Sequence, residues 1–105
     1  MKVELEKVIA ERDIDVEFSD ERKSVVRVRL GFPIITTSTP HPSVIAPYQI
    51  IFEGRTRTFR AMGVDGFQAL QLAMRMIEVE LESLELSYGV RMSADDEAGL
   101  GIRYR

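Results

Sequence analysis

Few residues in this chain have side chains able to do chemistry, and they are scattered. The single histidine, His41, lies between prolines in "TPHPS". An imidazole there can serve as a general base or a metal ligand, but nothing local supplies a second imidazole or a triad partner. The chain has no cysteine, which excludes disulfides, thiolate nucleophiles and cysteine-ligated zinc or iron–sulfur centres. "DDE" at 95–97 resembles a fragment of a calcium loop but lacks the alternating oxygen ligands and the closing glutamate. "GLGIRYR" has two glycines with no helix behind them, a poor cradle for phosphate. Arg55, Arg57 and Arg60, with Arg103 and Arg105, offer positive charge to an anion, yet strand alternation sends Arg57 and Arg60 to opposite faces. No pair of carboxylates stands at catalytic spacing. The expectation is therefore a protein without a catalytic set, a metal site or a cofactor.

Composition narrows the class further. One hundred and five residues suit a single domain, 1–105, with one core. Apolar content of 45% and charged content of 30% belong to a globular chain rather than a disordered one. The net charge of −3 disfavours nucleic acid as a partner, because that binding needs a basic field. "MKVELEKVIAERD" is charged throughout and has no apolar core of a secretion signal. No apolar run approaches the roughly 20 residues that span a bilayer. A cytoplasmic location without membrane contact is expected.

The elements that must position any site follow from periodicity. Between Val8 and Phe18 the pattern has period two, with Val8, Ala10, Ile14, Val16 and Phe18 on one side and Glu11, Asp13, Asp15 and Glu17 on the other. "SVVRVRL" alternates again, with Val26, Val28 and Leu30 inward, after the polar turn "SDERK". A hairpin around Glu21 sets Val16 opposite Val26 and Ile14 opposite Val28, with Asp15 meeting Arg27 and Asp13 meeting Arg29. The acidic run then has cationic partners and is no metal site.

Positions 33–46, with three prolines, read as a long connection folded back on apolar surface through Ile34, Ile35, Val44 and Ile45. "PYQIIFEGRTRTFRAM" reads as a second hairpin turning at Glu53–Gly54 or Gly54–Arg55, with Tyr48, Ile50, Phe52, Phe59 and Ala61 on one face. The sheet should be antiparallel, covered on one side and wet on the other.

"GVDGFQALQLAMRMIEVELESL" is a helix. Asp65 caps it, Gln68 completes a capping box, Val64 can staple onto Ala69, and Gly89 marks its end. Leu70, Ala73, Met74, Ile77, Leu81 and Leu84 fall on one stripe, the natural lid of the sheet. Gln68, Gln71, Arg75, Glu78, Glu82 and Glu85 form the solvated stripe. A third group, Leu72, Met76 and Val79, lies well over 100° from the centre of the core stripe. The 33–46 connection, the C-terminal tail or another protein chain must cover it. The connection, with four aliphatic residues, is the first expectation, and a second copy of the chain is the next.

Beyond this pattern, "PYQIIFEGRTRTFRAMGVDGFQALQLAMRMI" resembles the central signature of a family of short, stand-alone bacterial proteins classed as a domain of unknown function. In that signature a strand ends in Gly-x-Asp and runs into a Gln-Ala-Leu-x-Leu-Ala helix, here Gly63, Asp65, Gln68, Ala69, Leu70, Leu72 and Ala73. The resemblance covers a third to a half of the chain. It implies a free-standing cytoplasmic bacterial domain and carries no activity.

The fold expected is α+β: an antiparallel sheet of four to five strands, built from two hairpins, then one long helix packed on one face. A C-terminal edge strand over 100–104 is the optional fifth. The leading functional expectation is a non-enzymatic protein-interaction module acting through Leu72, Met76 and Val79, as a homodimer or as an immunity-like binder of one cognate protein. The alternative is a small-molecule or anion-binding domain using the 33–46 loop and the sheet edge, with His41, Tyr48 and Arg60 as binding residues.

Overall fold

The computed structural model describes residues 7–37, 40 and 43–92. Within them the alternating segments pair into one antiparallel sheet of six strands. The strands are β1 (Val8–Phe18), β2 (Lys23–Gly31), β3 (Ile34–Thr36), β4 (Ser43–Phe52), β5 (Arg55–Gly63) and β6 (Val90–Met92). One helix, α1 (Gly66–Tyr88), enters between β5 and β6. Across the sheet the order runs β5–β4–β2–β1–β6, and β3 continues beyond β2 along the same side of β4. The molecule is thus α+β, with a single long helix over one face of the sheet.

The covered face is the apolar one. Val26, Val28, Ala46, Tyr48 and Ile50 are buried beneath Ala69, Ala73, Ile77 and Leu81 of α1, with Leu70, Met74 and Leu84 packed partly against them. Full burial of such aliphatic side chains is worth about 1.5–3 kcal/mol each. The opposite face carries the charges, as antiparallel sheets of this kind allow.

The first hairpin differs from expectation by two residues. Asp13 lies opposite Arg27 and Ile14 opposite Val26, while Val16 faces Ser24. The cause is a tighter turn. Glu21 adopts a left-handed φ of 70°, its N–H donates to Phe18 O at 2.9 Å, and Phe18 N–H donates to Arg22 O at 2.8 Å. This is a three-residue hairpin loop closed by a left-handed residue, and Arg22 N–H donates to the Asp20 carboxylate at 3.0 Å to hold it. The ion pairs are therefore Asp13–Arg27 and Glu11–Arg29, both at 2.8 Å.

The 33–46 segment is not a loop in its described part. Ile34, Ile35 and Thr36 pair with Ile45, Val44 and Ser43. Proline misleads the sequence reading here, because Pro47 sits inside a central strand. It is tolerated because β4 pairs with β2 over 48–51 and with β3 over 43–45, so Pro47 falls at the break where no partner asks for its missing N–H.

The second hairpin turns at Glu53–Gly54, both left-handed with φ of 52° and 77°, the signature of a type I′ turn. Glu53 is held in that costly conformation by Ser24 Oγ at 2.7 Å and Arg22 Nη1 at 3.2 Å, which tie the two hairpin turns together. α1 begins as expected, with the Asp65 carboxylate accepting from Gln68 N–H at 2.8 Å. Gln68 Oε1 returns the bond to Val64 N–H at 2.7 Å rather than to the cap residue. The expected staple does not form. Val64 is exposed, and Ala69 packs on Gly63 so closely that a Cβ at 63 would stand 2.6 Å from Ala69 N. The helix ends at Gly89, whose φ of 62° returns the chain to β6.

Candidate interaction surface

At 100° per residue the two flanks of α1 look toward opposite edges of the sheet. On one flank Glu80 reaches Arg57 of β5 at 3.8 Å. On the other, the Glu85 carboxylate accepts from Met92 N–H of β6 at 3.0 Å. Leu72, Met76, Val79 and Ser83 lie on the Glu80 side, so the third stripe of the helix overlooks the β5 edge.

The described part of the 33–46 segment does not cover that stripe, since Ile34–Thr36 and the residues from Ser43 on are sheet strands. Leu72 is 38% exposed, Met76 37% and Val79 55%, and Leu86 extends the row near the end of the helix. A second apolar group gathers at the far end of the sheet. Ile34, Ile45 and Met62 stand abreast on the open face, with Ile34 and Met62 exposed.

The residues of the binding alternative are not brought together. Tyr48 is fully buried on the covered face, stacked on Phe59 at 5.2 Å, and burial, helped by the charge of Glu80, pushes its hydroxyl up to about 12. Arg60 is exposed on β5 opposite Pro47, on the other face of the sheet from Tyr48. His41 lies outside the described residues, as do the "DDE" turn, the 100–104 segment, Arg103 and Arg105.

A feature not anticipated from sequence is a groove of about 350 Å³ between β5 and the C-terminal half of α1. Phe52 and Phe59 line its floor, and Arg55, Arg57, Ser83 and Ser87 line its rim. Arg57 lies over the Phe59 ring at 5.0 Å as well as beside Glu80. The helical position of Glu80, between the core stripe and the third stripe, was the available signal that it turns toward a neighbouring strand.

Among the described residues no cluster of three histidine or acidic side chains is arranged to hold a metal ion, and no helix is long and apolar enough to cross a membrane.

The fold and this surface define a small α+β domain: an antiparallel sheet roofed by one helix that, among the described residues, leaves an apolar flank open. A family model described as a domain of unknown function, DUF6968, matches residues 10–104, and the chain belongs to that family. No curated protein and no solved structure matches it.

Proposed function

We propose that this protein is a non-enzymatic interaction module that binds another protein surface through the Leu72–Met76–Val79 stripe of α1, either a second copy of itself or one cognate protein such as a toxin. The observation that carries the reading is the exposure of three large apolar side chains in a row on a helix that already buries Ala69, Ala73, Ile77 and Leu81 against the sheet. Contiguous apolar surface of this kind is a recurrent mark of a docking site. A cytoplasmic setting fits the same reading. The test is Met76→Asp, assayed by circular dichroism and by light scattering of the purified protein, alone and with candidate partners. The variant is expected to stay folded and to lose assembly. Unfolding by this substitution would mean that the chain covers the stripe itself, and the reading would fall.

The groove beside β5 favours a second reading, an anion or small-molecule site on the sheet edge. Its rim presents Arg55, Arg57, Ser83 and Ser87 over an aromatic floor. Titration with inorganic phosphate followed by NMR is expected to shift these residues in the wild type and not in Arg57→Ala. An unchanged spectrum at millimolar phosphate removes the anion site.

A further inference from the structure

The partner of the α1 stripe can be specified further from the edge it overlooks. The two-residue turn makes Phe52–Arg55 a hydrogen-bonded pair, and ladder alternation then points the backbone groups of Thr56, Thr58, Arg60 and Met62 away from β4. No described residue pairs with that side of β5. An unpaired strand of this length is a template for another strand. At the opposite edge the three-residue strand β6 pairs with Val16–Phe18, the last residues of β1.

We propose that a second copy of this chain occupies the surface, with the two β5 strands pairing antiparallel into one continuous sheet and the two α1 helices lying antiparallel beside each other. This rests on the interaction reading above and names its partner. Three observations converge on one two-fold axis. First, α1 packs on β5 and β4 and meets β6 only at its C-terminal end. Strands are about 4.8 Å apart, so a helix above the β4–β5 midline stands about 5 Å from an axis beside β5. The two helices are then about 10 Å apart, the distance at which helices pack.

Second, Gly63 lies under Ala69 and Arg57 lies beside Glu80, which brings Thr58 level with the helix between Met76 and Val79. An axis at Thr58 sets Arg60 opposite Thr56, Arg57 opposite Phe59 and Arg55 opposite Ala61. No arginine faces an arginine. Third, the same axis passing between Met76 and Val79 seats Met76 on Val79 of the second copy and Leu72 beside Ser83. Leu72, Met76, Val79, Ser83 and Leu86 follow the alternating four-and-three spacing of a helix–helix seam. Arg75 and Glu82, which flank the seam, then stand next to each other across the axis with opposite charge.

The chain contains no cysteine, so Thr58→Cys carries a single thiol at the axis. Hydrogen-bonded residues on antiparallel strands have Cα atoms about 5.5 Å apart, within the range of about 4.4–6.8 Å that a disulfide spans. The wild type is expected to scatter as a dimer at micromolar concentration. Mild oxidation is expected to convert most of Thr58→Cys to a covalent dimer while Lys23→Cys, on the other hairpin, stays monomeric in denaturing gels. Thr58→Pro removes an outward N–H and spares the ladder to β4, so it is expected to give a folded monomer by circular dichroism and light scattering. A monomeric wild type overturns the proposal. So does a dimer in which Thr58→Cys links no better than Lys23→Cys. If Met76→Asp dissociates that second dimer, the interaction reading survives and only the paired-edge geometry is lost.

Discussion

The two long hairpins of this sheet are secured by different physics. The β4–β5 hairpin is held from the covered side. Tyr48, Ile50 and Phe52 are buried, Tyr48 stacks on Phe59, and Gly63 admits the helix backbone to near contact. The β1–β2 hairpin buries Val16 and Val26 on that face, but its outer face is a ladder of charges. Asp13–Arg27 and Glu11–Arg29 span the strands at 2.8 Å, and Glu17 reaches Arg91 of β6 at 3.5 Å. The β1 edge pairs with β6 over Val16–Phe18 alone, whereas the outer edge of β5 meets no described strand anywhere along its length. The apolar flank of α1 lies on the β5 side, where Glu80 reaches Arg57.

Alkali should divide the two hairpins most sharply. Burial raises the Tyr48 hydroxyl from 10.0 to about 12. The folded state therefore holds this proton more tightly than the unfolded chain does. Its contribution is fully present below pH 10 and is lost as pH rises from there through the folded value, because the unfolded tyrosine ionises first. The loss should amount to about 1–3 kcal/mol by the top of that window. Melting curves of the wild type and Tyr48→Phe between pH 9 and 12 check this. Phenylalanine keeps the stacking on Phe59, so the variant should melt at nearly the same temperature at pH 8 and lose less at high pH. Parallel curves for the two proteins would show that ionisation of Tyr48 does not limit stability in alkali.

Much of this arrangement is legible in the sequence, and what is not has a physical reason. Alternation places Ile14, Val16, Val26, Val28 and Ile50 on the covered face, and all five are buried. Helical spacing places Ala73, Ile77 and Leu81 beneath α1 in the same way. A shift of two residues keeps every side chain on its own face, so the period cannot distinguish Asp13–Arg29 from the observed Asp13–Arg27. Only the left-handed Glu21 decides between them, and glutamate gives no sign of that conformation in advance. β3 is hidden by the prolines on either side of it, and the break that accommodates Pro47 is set by where β2 and β3 end along β4, which no local pattern gives. The functional surface is half legible. The surplus of Leu72, Met76 and Val79 can be counted on a helical wheel, but which sheet edge they overlook depends on Glu80 meeting Arg57 across the fold.

Acid should produce the smaller and opposite response, confined to the charged ladder and the junction of the two turns. The Arg27 hydrogen bond, with its charge in support, holds the Asp13 carboxyl below its ordinary value of 3.8 against a partial opposing effect of burial. Ser24 first and Arg22 second hold Glu53 below 4.5 in the same manner. For both groups the folded state binds the proton less readily than the unfolded chain. Their contribution is complete above the ordinary values and is lost as pH falls below about 4 toward the lowered ones. Both carboxylates are solvated, and exposed pairs are individually weak and screened by salt. The loss should therefore shrink in 1 M sodium chloride, which separates it from the alkaline limb, where the group is buried and salt has little purchase. Asp13→Asn should flatten the acid limb without touching the alkaline one. If Asp13→Asn and added salt both leave the acid limb unchanged, the outer ladder contributes register to the first hairpin but no stability, and the contrast between the hairpins reduces to what lies under the helix.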